Sequence, residues 1–516
     1  MTLTTVIRES KQLYFSDRLK NSEKDSIKIW QVINDILKPI SKKKIQECFK
    51  ETSGNVITDP EVIANKFNAY FVNIGIDSAN ETDLNIADCI TNMKGSYTHS
   101  LFLKPIEQYE ILDIVRCMEN WKSPGHDDLD STILKQIIDV IVLPLQYIFN
   151  LSFESGKVPK SFKLAKVIPI FKKGQPNEFG NYRPISVLPV LSKILERLFY
   201  VRFYSYLEKN KILSHVQYGF RTGHSTILAL ADFLDQIMHS LDESKHTVGL
   251  YLDISKAFDS INHMNLLAKL AYYGIRGLAY NWIQNYLTDR KQYVVFNNVC
   301  SHELQLSCGI PQGSILGPLL FLIYINDLPN VSNALSYVIF ADDTNVFLSE
   351  TDLDSLMYKM KTEIGRVLSW FRMNGLRVNL SKTNYMHFVN PNKHFDKSLL
   401  DIKIGHENES IKQVTHTRFL GVNINDRLMW TEHINEICLK ISKVLGVMSK
   451  LKHTLPSYTL LMLYNSLILP HLSYANMLWA CSSQGRMNRL HLLQKRALRI
   501  IEKTDYIAHI LGNIKS

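Results

Sequence analysis

Two adjacent carboxylates at the tip of a strand–turn–strand segment constrain this chain more than any other feature. The segment SYVIFADDTNVFLS runs from 336 to 349, and Asp342 and Asp343 fall between two runs rich in β-branched and aromatic residues. A turn with only a structural role gains more from Asn-Gly, because neighbouring like charges repel. The apolar flanks Val338, Ile339, Val346 and Leu348 argue that the hairpin is buried, where water screens that repulsion poorly. A divalent cation would neutralise it, and hard carboxylate oxygens are the ligands that Mg²⁺ selects. A solvated Asp-rich surface turn is the competing explanation, and the apolar flanks weaken it.

A second segment, TVGLYLDIS at 247–255, reads as a strand in which Val248, Leu250, Leu252 and Ile254 take one face and Gly249, Tyr251 and Asp253 the other. Alone, Asp253 is explained more simply as a helix or turn cap. With Asp342 and Asp343 on a neighbouring strand, it completes the donor set of a two-metal site for phosphoryl transfer, whose ions stand ~3.5–4 Å apart.

Charge distribution points to a polyanionic partner. The net charge is +10 with a pI near 9.0. From Lys160 to Arg221 there are twelve Lys and Arg against three acids, and from Lys440 to Lys503 ten against one. Two basic segments therefore flank a mildly acidic middle, either as two solvated helical faces or as a clamp on nucleic acid. Composition, 46% hydrophobic and 21% charged, excludes a mainly disordered or fibrous chain, and 516 residues suggest roughly three domains. Seven cysteines without a C-x-x-C pair argue against a disulfide framework or zinc knuckle and fit a reducing compartment. No apolar run opens the chain. The longest, ILGPLLFLIYI at 315–325, is about half the length needed to cross a bilayer, and 459–480 reads as a helix pair broken at Pro470. The expectation is a soluble protein with no membrane partner.

Helices and short strands intermix without strict alternation, which predicts an α+β fold. Residues 1–100 read as a basic helical region. SIKIWQVINDILKPI carries Ile29, Val32, Ile33 and Ile36 near a 3.6 period, and Thr58-Asp59-Pro60-Glu61 signals a helix start. KSPGHDDLD at 122–130 is a loop leading into the helix STILKQIIDVI. KVIPIF at 166–171 reads as a strand, followed by the loop KKGQPNEFGNYRP and the helix VLSKILERLFYVRFYSYL.

Eight blocks in order carry a resemblance: SPGHDD (123–128), NYRPISVLPVLSKILERL (181–198), QYGFRTGHST (217–226), YLDISKAFDSI (251–261), GIPQGSILGPLLF (309–321), FADDT (340–344), LRVNLSKT (376–383) and FLGVNIN (419–425). The chain resembles the reverse transcriptases of non-LTR (LINE-type) retrotransposons, most closely the jockey and CR1-like group. The resemblance implies a right-hand polymerase fold, with a helical N-terminal extension at 1–100, fingers and a palm bearing a small antiparallel sheet at 101–429, and a truncated helical thumb at 430–516. It implies an RNA-directed DNA polymerase that extends a primer 3′-hydroxyl with dNTPs, using two Mg²⁺ ions or Mn²⁺ in their place. One ion would activate the hydroxyl and the other would hold the triphosphate and leaving pyrophosphate.

Position by position, the resemblance makes Asp253 and Asp342 bridging metal ligands and Asp343 the third acid, with the Ile254 backbone offered to metal and triphosphate. Phe258 would lie under the nucleotide sugar, with core packing as its bland alternative. Arg183 would contact the triphosphate, as would Lys172 or Lys173, between which the sequence does not choose. Gln312 and Gly313 would line the nucleotide and template base. Lys382 would protonate the leaving pyrophosphate, unless it is a solvated surface lysine. Gln217, Gly219, Phe220 and Arg221 would track the template, and FLGVNIN would meet the primer. In the thumb, Lys495, Arg496 and Arg499 would grip nucleic acid.

One block departs from the family, whose loop commonly runs SPGPDG where His126 and Asp128 stand here. The implied partners are an RNA template, a DNA primer, dNTPs and a nicking endonuclease from elsewhere in the element. The family also implies an intracellular protein, cytoplasmic and nuclear. A catalytically idle nucleic-acid-binding relic or domesticated factor with the same fold is the alternative. An RNA-templated RNA polymerase predicts a small or polar residue in place of Phe258. A metal-dependent nuclease leaves Gln312-Gly313 and Arg183 unexplained.

Overall fold

The computed structural model describes residues 3–21, 26–37, 48–50, 55–79, 86–120, 123–389 and 411–504. Lys122 of the expected loop and the stretch 505–516 of the expected thumb lie outside them. The chain forms two compact units. The larger comprises Ile45–His387 and Lys393–Val414, and the smaller comprises Met1–Lys44, Phe388–Asn392 and Thr415–Ser516.

In the larger unit a five-stranded sheet runs in the order Lys412–Gln413, Asn384–Phe388, His246–Leu252, Asp343–Glu350, Ser336–Phe340. His246–Leu252 is central and buried on both faces. On one face Tyr251 and Phe347 pack edge-on against Phe233 of the helix Thr226–Asp242, with centroids 6.0 and 5.5 Å away. On the other, Val248, Leu250 and Val346 join the main core. Antiparallel pairing matches Leu252 with Thr344, so the next step of the register sets Asp253 across from Asp343.

A second sheet pairs Tyr182–Val187 antiparallel with Leu164–Phe171, which runs parallel to Lys291–Phe296. Its own core is aromatic. Phe67, on the helix Pro60–Ala79, sits 4.8 Å from Phe179 and 5.0 Å from Tyr182, and Phe49 stacks on Phe179 at 4.9 Å. Phe49 and the helix Pro60–Ala79 therefore brace the hairpin that carries Lys172 and Arg183. The helix begins at Pro60 as read, with the Asp59 carboxylate accepting from Glu61 N.

The helix after the Gly/Pro loop is longer than the sequence suggested, running Ser131–Ser155. Asp130 caps it by accepting from Thr132 N and Ile133 N, and Gly156, at φ 65°, ends it in the left-handed conformation. This helix is long and apolar enough to cross a membrane. One face (Leu134, Ile138, Val142, Leu145, Phe149) is buried in the main core, while Val140, Leu143 and Tyr147 are exposed.

The smaller unit holds the hairpin His416–Phe419 with Val422–Asn425 and the helices Thr431–Leu451, Ser457–Leu467 and Gln484–Glu502. The expected helix break at Pro470 lies instead at Ile468, and Pro470 occupies the first turn of the short helix Leu469–Ser473. A ring without an N–H is tolerated there, where no intrahelical donor is needed.

Candidate active site

The three acids meet at one end of the central sheet. Ser336–Phe340 and Asp343–Glu350 pair Phe340 with Asp343, leaving Ala341 and Asp342 as the turn. Ala341 sits at φ 56°, a conformation that glycine would adopt without steric cost. Burial, then the charges of Asp342 and Asp253, push the Asp343 carboxyl up to about 6, against the pull of Lys172. Among the described residues no three His, Cys, Asp or Glu side chains form a ready-made metal cage. The donor chemistry nonetheless fits a divalent cation, because three carboxylates share one end of the sheet and the charges of Asp342 and Asp253 raise the Asp343 carboxyl.

The backbone beside Asp253 offers a further oxygen. Asn379 N donates to Asp253 O and Ser255 N donates to Arg377 O, both at 2.8 Å. Those bonds bracket the Ile254–Val378 bridge and leave the Ile254 carbonyl without a donor among the described residues. Lys382 comes to the same place from a loop 129 residues away, its Nζ 3.3 Å from Asp253 Oδ2. Both side chains are about half exposed, so the pair is worth at most ~1 kcal/mol and is readily rearranged.

Positive charge faces the acids from the second sheet. Arg183 pairs with Ile170, and Lys172 N donates to Asn181 O just beyond the strand end. Desolvation first, then Arg183 and Lys382, lower the Lys172 ammonium, while Asp253 raises it. Lys172 thus interacts electrostatically with Asp253 and Asp343.

Two further turns close the site. Phe258 stacks on Phe321 at 4.7 Å and meets Phe220 edge-on at 6.4 Å, so the ring packs against the main core. Gln312 O accepts from Ser186 N at 2.8 Å, and Gly313, at φ 124°, leaves no space for a Cβ, which would lie 2.4 Å from Ser186 O. The close approach at Gly313 is thus made by the strand carrying Arg183.

The residues expected to track the template divide. Gln217 is buried, and its Oε1 accepts from Gly219 N at 2.8 Å and Ala341 N at 3.0 Å. That amide staples the acid turn and is not available to nucleic acid, which corrects its expected role. The Arg221 guanidinium is likewise committed, to Glu208 at 3.2 Å and to Ser214 O at 2.8 Å. Phe220 is exposed at φ 54°, and Gly219 packs against Ala341. Lys495, Arg496 and Arg499 lie on Gln484–Glu502 in the other unit, with Arg496 exposed and Lys495 and Arg499 half-buried.

Sequence reasoning missed Glu196 and Asp259. Glu196 is buried, and Oε2 accepts from Ile315 N at 2.8 Å, holding the segment after Gln312-Gly313. Burial raises its carboxyl and Arg290 opposes the rise. The available signal was an acid inside the apolar run KILERLF. Asp259 bonds to Gln312, and its signal was a second acid in YLDISKAFDSI.

Residues 170–424 match the family model for reverse transcriptase (RNA-dependent DNA polymerase). Relatives in Drosophila melanogaster include the "Probable RNA-directed DNA polymerase from transposon X-element", 29% identical over 78% of this chain and 45% of that protein. The corresponding protein of transposon BS is 26% identical over 98% of this chain and 56% of its own length. The RNA-directed DNA polymerase of the mobile element jockey is 26% identical over 79% and 45%. Residues 170–424 are thus a reverse transcriptase domain, and the chain is similar to the polymerases of non-LTR retrotransposons. It spans about half the length of the curated relatives it matches. This reverse transcriptase domain carries the right-hand polymerase fold of its family, and reverse transcriptases use divalent metal ions.

Proposed function

We propose that the chain is the RNA-directed DNA polymerase of a LINE-type element, copying an RNA template from a DNA primer with dNTPs. The observation that carries this reading is the convergence of Asp253, Asp342 and Asp343 opposite Lys172, beside the Ile254 carbonyl, which has no donor among the described residues. In this reading the acid-bearing sheet is the palm, the Leu164–Phe171 and Tyr182–Val187 hairpin belongs to the fingers, and the helices after Thr431 are the thumb.

Asp253, Asp342 and the Ile254 carbonyl would hold two Mg²⁺ ions, or Mn²⁺, with Asp343 supporting them. Bound there, the ions supply Lewis acidity to the primer hydroxyl and charge neutralisation to the leaving pyrophosphate. Lys172 and Arg183 orient the triphosphate, and the Arg183 guanidinium can do so through two parallel hydrogen bonds. Lys382, whose pair with Asp253 is half exposed and weak, would give a proton to the leaving pyrophosphate. Phe258 fills the space that a ribose 2′-hydroxyl needs. The nicking endonuclease comes from elsewhere in the element, and the work is done inside the cell, in cytoplasm and nucleus.

Primer extension on a defined RNA template, with deoxynucleotides and Mg²⁺ and the purified 516-residue chain, tests the reading. Template-directed products are expected, and chelation should abolish them. A chain that binds primer–template yet extends nothing in either metal would refute catalysis.

A further inference from the structure

We infer that Asp259 is a positioning residue that holds the Gln312 amide in one orientation, so that an acceptor oxygen and not a donor nitrogen is presented to the bound nucleotide. This rests on the polymerase reading above. Gln312 Nε2 stands 2.8 Å from both carboxylate oxygens of Asp259. An ionised carboxylate only accepts, so the amide nitrogen must face it and Oε1 is left over. Oε1 has no hydrogen-bond partner among the described residues, and the side chain is half-exposed. Without the carboxylate, a half-turn about the last side-chain bond would exchange donor for acceptor at little cost.

The turns carrying the pair are themselves laced together. Ile310 N donates to Phe258 O at 2.9 Å and Gly309 N to Ile261 O at 2.8 Å. A Cβ on Gly309 would lie 2.7 Å from Asp259 O. Gln312 is therefore anchored at its backbone whatever Asp259 does, and orienting the amide is what remains for the carboxylate. Burial pushes that carboxyl up to about 6 while Gln312 and Lys256 pull it down, so it is ionised at neutral pH.

The test is a double-mutant cycle on the full chain: kcat and KM for dNTP incorporation by wild type, D259A, Q312A and the double variant, with melting temperatures. D259A and Q312A should each raise KM about tenfold with kcat changed less than about threefold, and the double should be no worse than the poorer single variant. A second arm needs neither alanine variant to fold. Q312E alone brings two carboxylates together and should lose activity. D259N/Q312E restores a donor–acceptor pair of reversed polarity, still presents an acceptor oxygen, and should recover most of the loss. Multiplying losses in the cycle, or no recovery in the swap, would overturn the inference while leaving a working polymerase. A wild type that does not extend overturns the polymerase reading, and this inference with it.

Discussion

Gly219→Ala should cripple catalysis without touching a carboxylate. A Cβ at position 219 would lie 2.4 Å from Ala341 N, 3.0 Å from its Cα and 3.1 Å from its Cβ. Carbon contacts are comfortable at ~3.5–4.0 Å, so the two segments must separate by about 1 Å. No flexible side-chain end can give way, because two of the three atoms are backbone and the third is a Cβ. Ala341 is already held at φ 56°, and Asp342 and Asp343 follow it directly, so the displacement passes to the acids. A ~1 Å misplacement of reacting groups costs about 10²-fold in rate, or ~2.7 kcal/mol of barrier. Overpacking should cost a further ~1–3 kcal/mol of stability. The assay is single-nucleotide extension, with primer–template affinity and melting temperature measured alongside. Gly365→Ala is the control, since Gly365 lies within the helix Leu353–Met373 with open space around it. It should stay active and gain ~0.5–1 kcal/mol. If Gly219→Ala kept more than about a third of the wild-type rate, the claim that this contact sets the acids would be wrong.

Asp342→Asn or Asp253→Ala should cut extension by at least ~10³, about 4 kcal/mol, while primer–template affinity changes little. More than about a tenth of the rate remaining would remove Asp342 from the reaction. Phe258→Val should raise ribonucleotide incorporation by one to two orders of magnitude, ~1.4–2.8 kcal/mol, with some loss of stability from the broken stack on Phe321. An unchanged dNTP-to-rNTP ratio of kcat/KM would leave the ring as packing alone. Replacing Lys495, Arg496 and Arg499 together with alanine should flatten the salt dependence of primer–template affinity by about two to three units of log–log slope, and an unchanged slope would point that face elsewhere. Buried His433 is held down to about 4 from 6.5. The unfolded state takes its proton first, so this contribution to stability is full above 6.5 and is lost as pH falls towards 4. Between pH 6.5 and 5 the loss is about 2 kcal/mol, read from denaturant unfolding at several pH values, and His433→Phe should flatten it.

What the sequence determined by itself was local or carried in short ordered blocks. The acid turn could be read because two runs of strand formers bracket Asp342 and Asp343, and Asp253 because alternation put it at a strand end. Helix starts at Pro60 and Ser131 were legible because capping chemistry is confined to a few residues. Alternation could not reveal that Thr247 to Leu252 are buried on both faces, since a strand pattern does not say what covers its polar side. Contacts between distant segments belonged to tertiary structure alone. Lys382 reaches Asp253 across 129 residues, Gln217 reaches Ala341 across 124, and Glu196 reaches Ile315 across 119. Gln217 shows the difference most plainly. Its sequence neighbours suit it equally to touching a template or bracing a turn, and only strand register with close backbone approach at Gly219 turned its amide inward. Side-chain type and local periodicity act over a few residues and so are written in the sequence. Burial, charge balance and the direction of a hydrogen bond depend on which segments pack together, and packing decided them.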